Sequence, residues 1–259
     1  MRRIALAIVV CLLAAPAAFA QDKSGSQIVD EMVSGISQGN MQMQLTMKIL
    51  SKSGQTRERV LRSRMKEESG LGKSIITFEA PEDVKGTKFL LIENKGRDDD
   101  QLLYLPALKK VRRIAGSQRT QSFMGTDFTY SDLETHDVSE GEHVRLADEK
   151  VNGADCYVVE TTPKASVNSE YAKVKYWVRK DNMVVVKAEF ADKAGAPVKS
   201  LVTDQLDEYK PGKWMPKYLK MSNVQKGTST EILISKYQFD AKIADDFFTE
   251  RFLQDESQF

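Results

Sequence analysis

The chain has 259 residues, 41% of them hydrophobic, with 38 Lys and Arg against 37 Asp and Glu. Apolar content of that order supports one core, and β barrels or sandwiches of this length routinely stay single domains. A charge balance near zero excludes the domain-wide basic excess of a nucleic-acid binder, and the two histidines, His136 and His143, have no cysteine near them to complete a zinc-type ligand set.

The first segment, MRRIALAIVVCLLAAPAAFA, carries Arg2 and Arg3, an apolar run from Ile4 to Leu13, and small residues ending in Ala18-Phe19-Ala20. That three-part pattern is a secretory signal peptide, too short to span and stay, with cleavage expected between Ala20 and Gln21. The chain therefore divides into a leader, residues 1–20, and a single domain, 21–259, expected to be soluble in the periplasm. Lipidation is not expected at Cys11, because bulky Ile8, Val9 and Val10 precede it. Two of the 38 basic residues lie in the leader, which leaves 36 against 37 acidic ones. Cys156 is the one cysteine outside it, so no intramolecular disulfide is expected.

Ser24 to Ile36 places Ile28, Val29, Met32, Val33 and Ile36 on one helical stripe, with Ser24 or Ser26 as the cap. Met41 to Ile49 alternates strictly, Met43, Leu45, Met47 and Ile49 against Gln42, Gln44, Thr46 and Lys48, the pattern of a half-buried strand. Further strands are expected over 56–67, 74–81, 87–93, 100–106, 142–151, 154–163, 172–180, 183–192, 196–205, 214–224 and 229–239. Turn signals such as Asn152-Gly153, Lys193-Ala194-Gly195, Pro211-Gly212-Lys213 and Lys226-Gly227 stand between strands. Many short strands in hairpin succession predict a mainly β domain with a few helices, one antiparallel sheet that is strongly curved or rolled into a barrel.

One stretch breaks the rhythm. From Gln101 to Thr126 there is no acidic residue, although Asp98, Asp99 and Asp100 stand immediately before it. Lys109, Lys110, Arg112, Arg113 and Arg119 concentrate there and read as a docking surface for a partner or an anionic head group, or else as cations paired by Asp98 to Asp100 across the sheet. After Ile114 the pattern becomes a loop with a short helical piece carrying Phe123, Met124, Phe128 and Tyr130. That much apolar surface outside a strand needs something to cover, and a lid across the mouth of the curved sheet is the simplest arrangement.

Motifs for catalysis are missing: the sequence has no GxSxG elbow, HExxH helix, GxGxxG turn or phosphate-binding loop. No enzyme activity, metal or cofactor is expected. Cys156, in ADCYVVE, alternates with Val158 as a small buried hydrophobe. Met43, Met47, Met65, Met215 and Met221 lie on strands, where flexible thioethers suit either ordinary core or a cavity that adapts to its ligand. With the lid residues, Phe78, Phe89, Leu103, Leu105, Trp177 and Trp214 are the candidate lining of such a cavity.

At this point the chain resembles a known family, the LolA-like outer-membrane lipoprotein-sorting proteins, through LLYLPALKKVRRI (102–114), SFMGTDFTYSDL (122–133), CYVVETTP (156–163), the strand Lys175-Tyr176-Trp177-Val178 and DDFFTERFL (245–253). The resemblance spans nearly all of residues 21–259. It implies an unclosed β barrel covered by helices around an apolar cavity for acyl chains, with cargo moving toward the outer membrane. It also implies partners: lipid or lipoprotein acyl chains, an inner-membrane exporter of the resistance-nodulation-division type, an outer-membrane acceptor, no nucleic acid, and a monomeric carrier. A dozen buried methylenes at ~0.8 kcal/mol each give about 10 kcal/mol, comparable with the roughly 4 to 15 kcal/mol cost of association, so binding is reversible as transfer requires. A second reading, a periplasmic lipid-sensing regulator of the anti-sigma type, shares the fold but usually adds a domain. A third, a lipid- or glycan-acting enzyme, has no site in its favour.

Overall fold

A computed structural model describes residues 22–36, 39–135 and 137–255. The expected signal peptide and its cleavage point, and His136, lie outside the described residues. Helix α1 (Gly25–Ile36) comes first. Ser24 and Gln27 form a reciprocal cap, Ser24 N–H donating to Gln27 Oε1 at 2.8 Å and Gln27 N–H to Ser24 Oγ at 3.2 Å. Gly25 is required by closeness, since a Cβ there would lie 2.4 Å from the carbonyl oxygen of His143.

Six strands follow: β1 (Met41–Leu50), β2 (Thr56–Glu68), β3 (Leu71–Ala80), β4 (Lys88–Ile92), β5 (Asp100–Leu105) and β6 (Lys110–Ile114). After a non-strand stretch come β7 (Gly141–Val151), β8 (Ala154–Pro163), β9 (Tyr171–Arg179), β10 (Val185–Asp192), β11 (Pro197–Lys210), β12 (Lys213–Asn223) and β13 (Thr228–Phe239), and a short helix α2 (Glu250–Gln254) ends the described chain. All thirteen strands form one antiparallel sheet in the order β6-β5-β4-β3-β2-β1-β13-β12-β11-β10-β9-β8-β7. Two meanders are thus joined where the first strand pairs with the last, Met41 opposite Phe239 and Leu50 opposite Ser229. The sheet stays open, the unclosed barrel that the resemblance implies.

This topology has one decisive consequence. Its two edge strands, β6 and β7, are consecutive in sequence, so residues 115–140 run from one edge of the open sheet to the other. The expected helical cover is accordingly of two kinds. Over the inner face of β8 and β9 lies α1, packing Ile28, Val29 and Met32 on Val159 and Val178. Over the inner face of the other arm lies the connecting segment itself, helical among the described residues only in single 3-10 turns at Gly116–Gln118, Ser131–Leu133 and Val138–Glu140.

On the outer face, Ile75, Leu90 and Tyr104 are covered by the C-terminal segment through Ala241, Ile243, Phe248, Phe252 and Leu253. Lys88 is fully buried there and donates to the carbonyls of Phe252 at 2.9 Å and Asp255 at 2.6 Å. Strand β6 lies where the sequence shows only the basic burst from Lys109 to Arg119. Val111 pairs with Tyr104 and Ile114 with Gln101, so β5 recruits a five-residue strand whose own composition is mostly cationic.

Candidate functional site

The inner face of the β1–β6 arm is apolar because alternation puts Met47, Ile49, Leu61, Phe78, Phe89, Leu91, Leu103 and Ile114 on one side, and they form a single cluster with Phe123 and Tyr130. Leu105 and Met124 pack against it, partly buried. Phe123 is the centre: its ring lies 5.2 Å from Phe89 and 5.5 Å from Tyr130, both edge-on, and 6.1 Å from Phe78. Phe128 points to the opposite arm, into Tyr171, Val174, Ala188, Phe190 and Met221. One short segment therefore fills the trough between the arms.

That segment is a miniature hairpin. Phe123 N–H donates to the Phe128 carbonyl at 2.8 Å and Thr126 N–H to the Phe123 carbonyl at 2.9 Å. Met124 and Gly125, at φ 50° and 76°, take the two left-handed positions of its turn. Met124 lacks the glycine or asparagine such a position favours, so the turn depends on its surroundings.

Polar groups hold the hairpin from both arms. Arg59 Nη1 donates to the Met124 carbonyl at 2.8 Å. The buried carboxylate of Asp127 accepts from the hydroxyls of Thr228 and Thr230, and Asp127 N–H donates back to Thr230 Oγ1 at 2.9 Å. Asp132 accepts from Tyr171 Oη at 2.9 Å and from Lys199 Nζ at 3.2 Å, and Lys199 also reaches Glu170 at 2.8 Å. Glu134 receives Arg119 at 2.6 Å and the amide of Gln101. Burial and the charges of Asp132 and Glu170 push the Tyr171 phenol far above its ordinary range. Burial, helped by Asp132, pushes neighbouring Tyr176 up to about 12.

Of the residues expected to line a cavity, eight come together on the inner face: Phe78, Phe89, Leu103, Leu105, Phe123, Met124, Phe128 and Tyr130. Trp177 does not join them. It lies on the opposite face with Cys156, Val158 and Val186, its Nε1 donating to Glu149 at 2.8 Å and Lys187 lying 4.2 Å from its ring. Alternation is the reason, since its neighbours Tyr176 and Val178 face inward. Trp214 sits half-buried at the start of β12 and enters none of these clusters.

The five methionines expected on strands face inward: Met47 and Met221 under the hairpin, and Met43, Met65 and Met215 in a cluster with Met41, also on β1, and Ile234 at the far end of the barrel, edged by partly buried Tyr209, Tyr237 and Phe239. Cys156 is fully buried, and burial pushes its thiol up, as expected of a small core hydrophobe.

The basic residues are divided. Arg113 pairs with Asp100 at 2.7 Å, and Arg119 with Asp98 at 3.2 Å as well as with Glu134. Arg97, Arg113 and Asn94 hold the Asp100 carboxyl far below the usual carboxylate range. Lys109, Lys110 and Arg112 are exposed and have no carboxylate partner among the described residues. Arg59, Asp127, Asp132, Tyr171 and Lys199 were missed from sequence. A signal existed for Arg59, because the period of two in TRERVLRSRM places Arg57 and Arg59 on the same face as Leu61 and Met65.

Among the described residues no group of three or more His, Cys, Asp or Glu is placed to hold a metal, and no helix is long and apolar enough to cross a membrane. A family model described as an uncharacterized protein matches residues 70–255. No match was found among curated proteins. Among solved structures, an outer membrane lipoprotein-sorting protein domain from Vibrio parahaemolyticus is 32% identical over 89% of this chain and 98% of its own, with a TM-score of 0.84. A DUF1329 family protein from Desulfovibrio piger is 31% identical over 88% of this chain and 97% of its own, at 0.83. A LolA superfamily protein from Nitrosomonas europaea shares the fold, at 20% identity, 89% and 100% coverage and a TM-score of 0.69.

Proposed function

The chain belongs to the LolA-like family of outer-membrane lipoprotein-sorting proteins, and from that premise we propose that it is a periplasmic carrier which shields acyl chains of lipids or lipoproteins on their way to the outer membrane. One observation carries this reading: the inner face of an open sheet is apolar across both arms, and between the arms its cover is a loop hairpin, with helix α1 confined to the β8–β9 side. A hairpin held by side-chain contacts can leave and return without breaking the sheet ladder, and the face it vacates is lined by Phe78, Phe89, Leu103 and Leu105. Phe123, Met124, Phe128 and Tyr130 then act as the lid, and Lys109, Lys110 and Arg112 meet the membrane partner, for which an exporter of the resistance-nodulation-division type is the class the resemblance suggests.

Titrating delipidated protein with a fluorescent fatty acid tests the reading. Saturable binding at micromolar concentration, with co-purified lipid seen by native mass spectrometry of the periplasmic protein, is expected. An intact fold by circular dichroism with no saturable binding overturns it.

A further inference from the structure

The hairpin end of the barrel carries a second feature that the acyl-chain reading does not use. A cavity of about 370 Å³ opens there between β1, β2, the hairpin and the β12–β13 turn, lined by Ile49, Arg57, Ser122, Asp127 and Lys226 among others. Its charges are unbalanced. Arg57 and Lys226 are exposed and have no carboxylate partner among the described residues. Behind this lining, Arg59, the next residue inward on the same face of β2, is 7% exposed, yet among the described residues its side chain makes a single hydrogen bond, to the Met124 carbonyl, and lies against the Phe78 ring at 5.6 Å. Asp83 acts on Arg59 through space without forming an ion pair. Asp127, the carboxylate of the lining, is taken up by the hydroxyls of Thr228 and Thr230.

A guanidinium buried without an anion is costly, and buried charges are normally paired. The fork of an arginine matches the geometry of phosphate and carboxylate oxygens. The cavity also borders the apolar cluster: Ile49 lines it and packs in the cluster around Phe123. A ligand held here by an oxyanion would have its tail directed at Phe78 and Phe123.

We propose that Arg57 and Lys226, backed by the buried charge of Arg59 one step further in on β2, form a head-group site for the phosphate or carboxylate of an acidic amphiphile, so that the cargo is anionic at the end nearest this mouth. The assignment rests on the carrier reading and narrows its substrate class. It is separate from the strip at Lys109 to Arg119, which lies at and beyond the β6 edge.

The experiment is calorimetric titration of the delipidated full-length mature chain with dodecyl phosphate, dodecanol and inorganic phosphate. The same series is run on an Arg57→Gln, Lys226→Gln double variant and on a Lys213→Gln, Lys236→Gln control that removes equal charge from exposed strand positions. Dodecyl phosphate is expected to bind about tenfold or more tighter than dodecanol. The Arg57→Gln, Lys226→Gln variant should lose that preference and the control should keep it. Equal affinity of the wild type for dodecyl phosphate and dodecanol overturns the head-group site and leaves the carrier reading standing. A preference that the control loses as completely as the double variant also overturns it, because bulk charge then suffices. Inorganic phosphate binding as tightly as dodecyl phosphate identifies a free-anion site and overturns the amphiphile. Failure of every chain-bearing ligand removes the carrier reading together with the site.

Discussion

Two segments cover the sheet from opposite sides, and they are held by different physics. The C-terminal segment seals the outer face through Phe248, Phe252 and Leu253 on Ile75, Leu90 and Tyr104, with buried Lys88 satisfying its last carbonyls. The hairpin fills the inner face with comparable aromatic packing, but adds Asp127, Asp132 and Glu134, three carboxylates that are each matched to partners on the sheet or at the hairpin's own base. Apolar burial is non-directional and roughly proportional to area. A buried ion pair gains little over a hydrophobic replacement while it is intact, and costs several kcal/mol when one partner is removed. The outer cover is therefore built to stay, whereas the hairpin is built to occupy one geometry or none, which is what the proposed lid role requires.

The sharpest way to break this contrast is a matched pair of truncations. Phe123→Ala removes the central ring of the inner cluster and Leu253→Ala a fully buried side chain of the outer one. Losses of about 3 to 5 and about 2 to 5 kcal/mol are expected in chemical denaturation. Phe123→Ala alone should raise the off-rate of a bound fluorescent fatty acid. Equal off-rates in the two variants would mean that the two covers do the same job.

Next in size is the buried ion pair. Asp132→Asn leaves Lys199 facing Tyr171 and Glu170 with a neutral amide in place of the carboxylate, a cost of about 2 kcal/mol. Native-state hydrogen exchange localises it: the amides of Phe123, Thr126 and Tyr130 should exchange about 30-fold faster, with no change at Leu253, whose amide bonds to the Thr249 carbonyl. Acceleration spread evenly over both segments would show that the hairpin does not open as a separate unit.

A smaller effect comes from Tyr171, whose phenol is pushed up by burial first and then by Asp132 and Glu170. A raised folded pKa means that the unfolded chain releases this proton first, so the phenol's contribution is intact below the unfolded value near 10 and is lost as pH rises from there toward the folded one. Stability should therefore fall more steeply above about pH 10 in the wild type than in Tyr171→Phe. Parallel curves would place the phenol outside the coupled network.

The fold was legible because period-two alternation is a strong signal wherever one face is buried: the ends of β1, β2 and β8 lie within one residue of their expected positions. What could not be read was β6, since KVRRI shows too little alternation and is strand only because β5 offers it an edge. The aromatic half of the site was legible for a related reason, as Phe123, Phe128 and Tyr130 were conspicuous for lying outside a strand. Its polar half was not. Asp132 is 67 residues from Lys199 and Asp127 is 103 from Thr230, and nothing local to either aspartate distinguishes it from a solvated turn residue. Trp177 was misplaced because one step of parity along KYWV decides which face a side chain takes.

The smallest effect on stability, and the one that separates docking from binding, belongs to the strip at the β6 edge. Lys110 and Arg112 carry no ion pair among the described residues, and the exposed Arg113 shares half-buried Asp100 with Arg97. Exposed pairs contribute about 0 to 1 kcal/mol, so changing all three to Gln should move the denaturation midpoint very little. Their value on the proposed reading is kinetic. Like charges gathered at one edge raise the local potential and steer an anionic partner, an effect that acts on the association rate and is screened within roughly 8 Å at physiological salt. Transfer of a labelled lipid from loaded carrier to anionic vesicles should therefore slow several-fold at low ionic strength and converge with the wild type as salt is raised. The fatty-acid off-rate should stay at the wild-type value, because none of the three side chains belongs to the cluster around Phe123. A change in off-rate equal to that of Phe123→Ala would merge the strip with the lid, and transfer rates independent of both salt and the three substitutions would remove the strip from the mechanism.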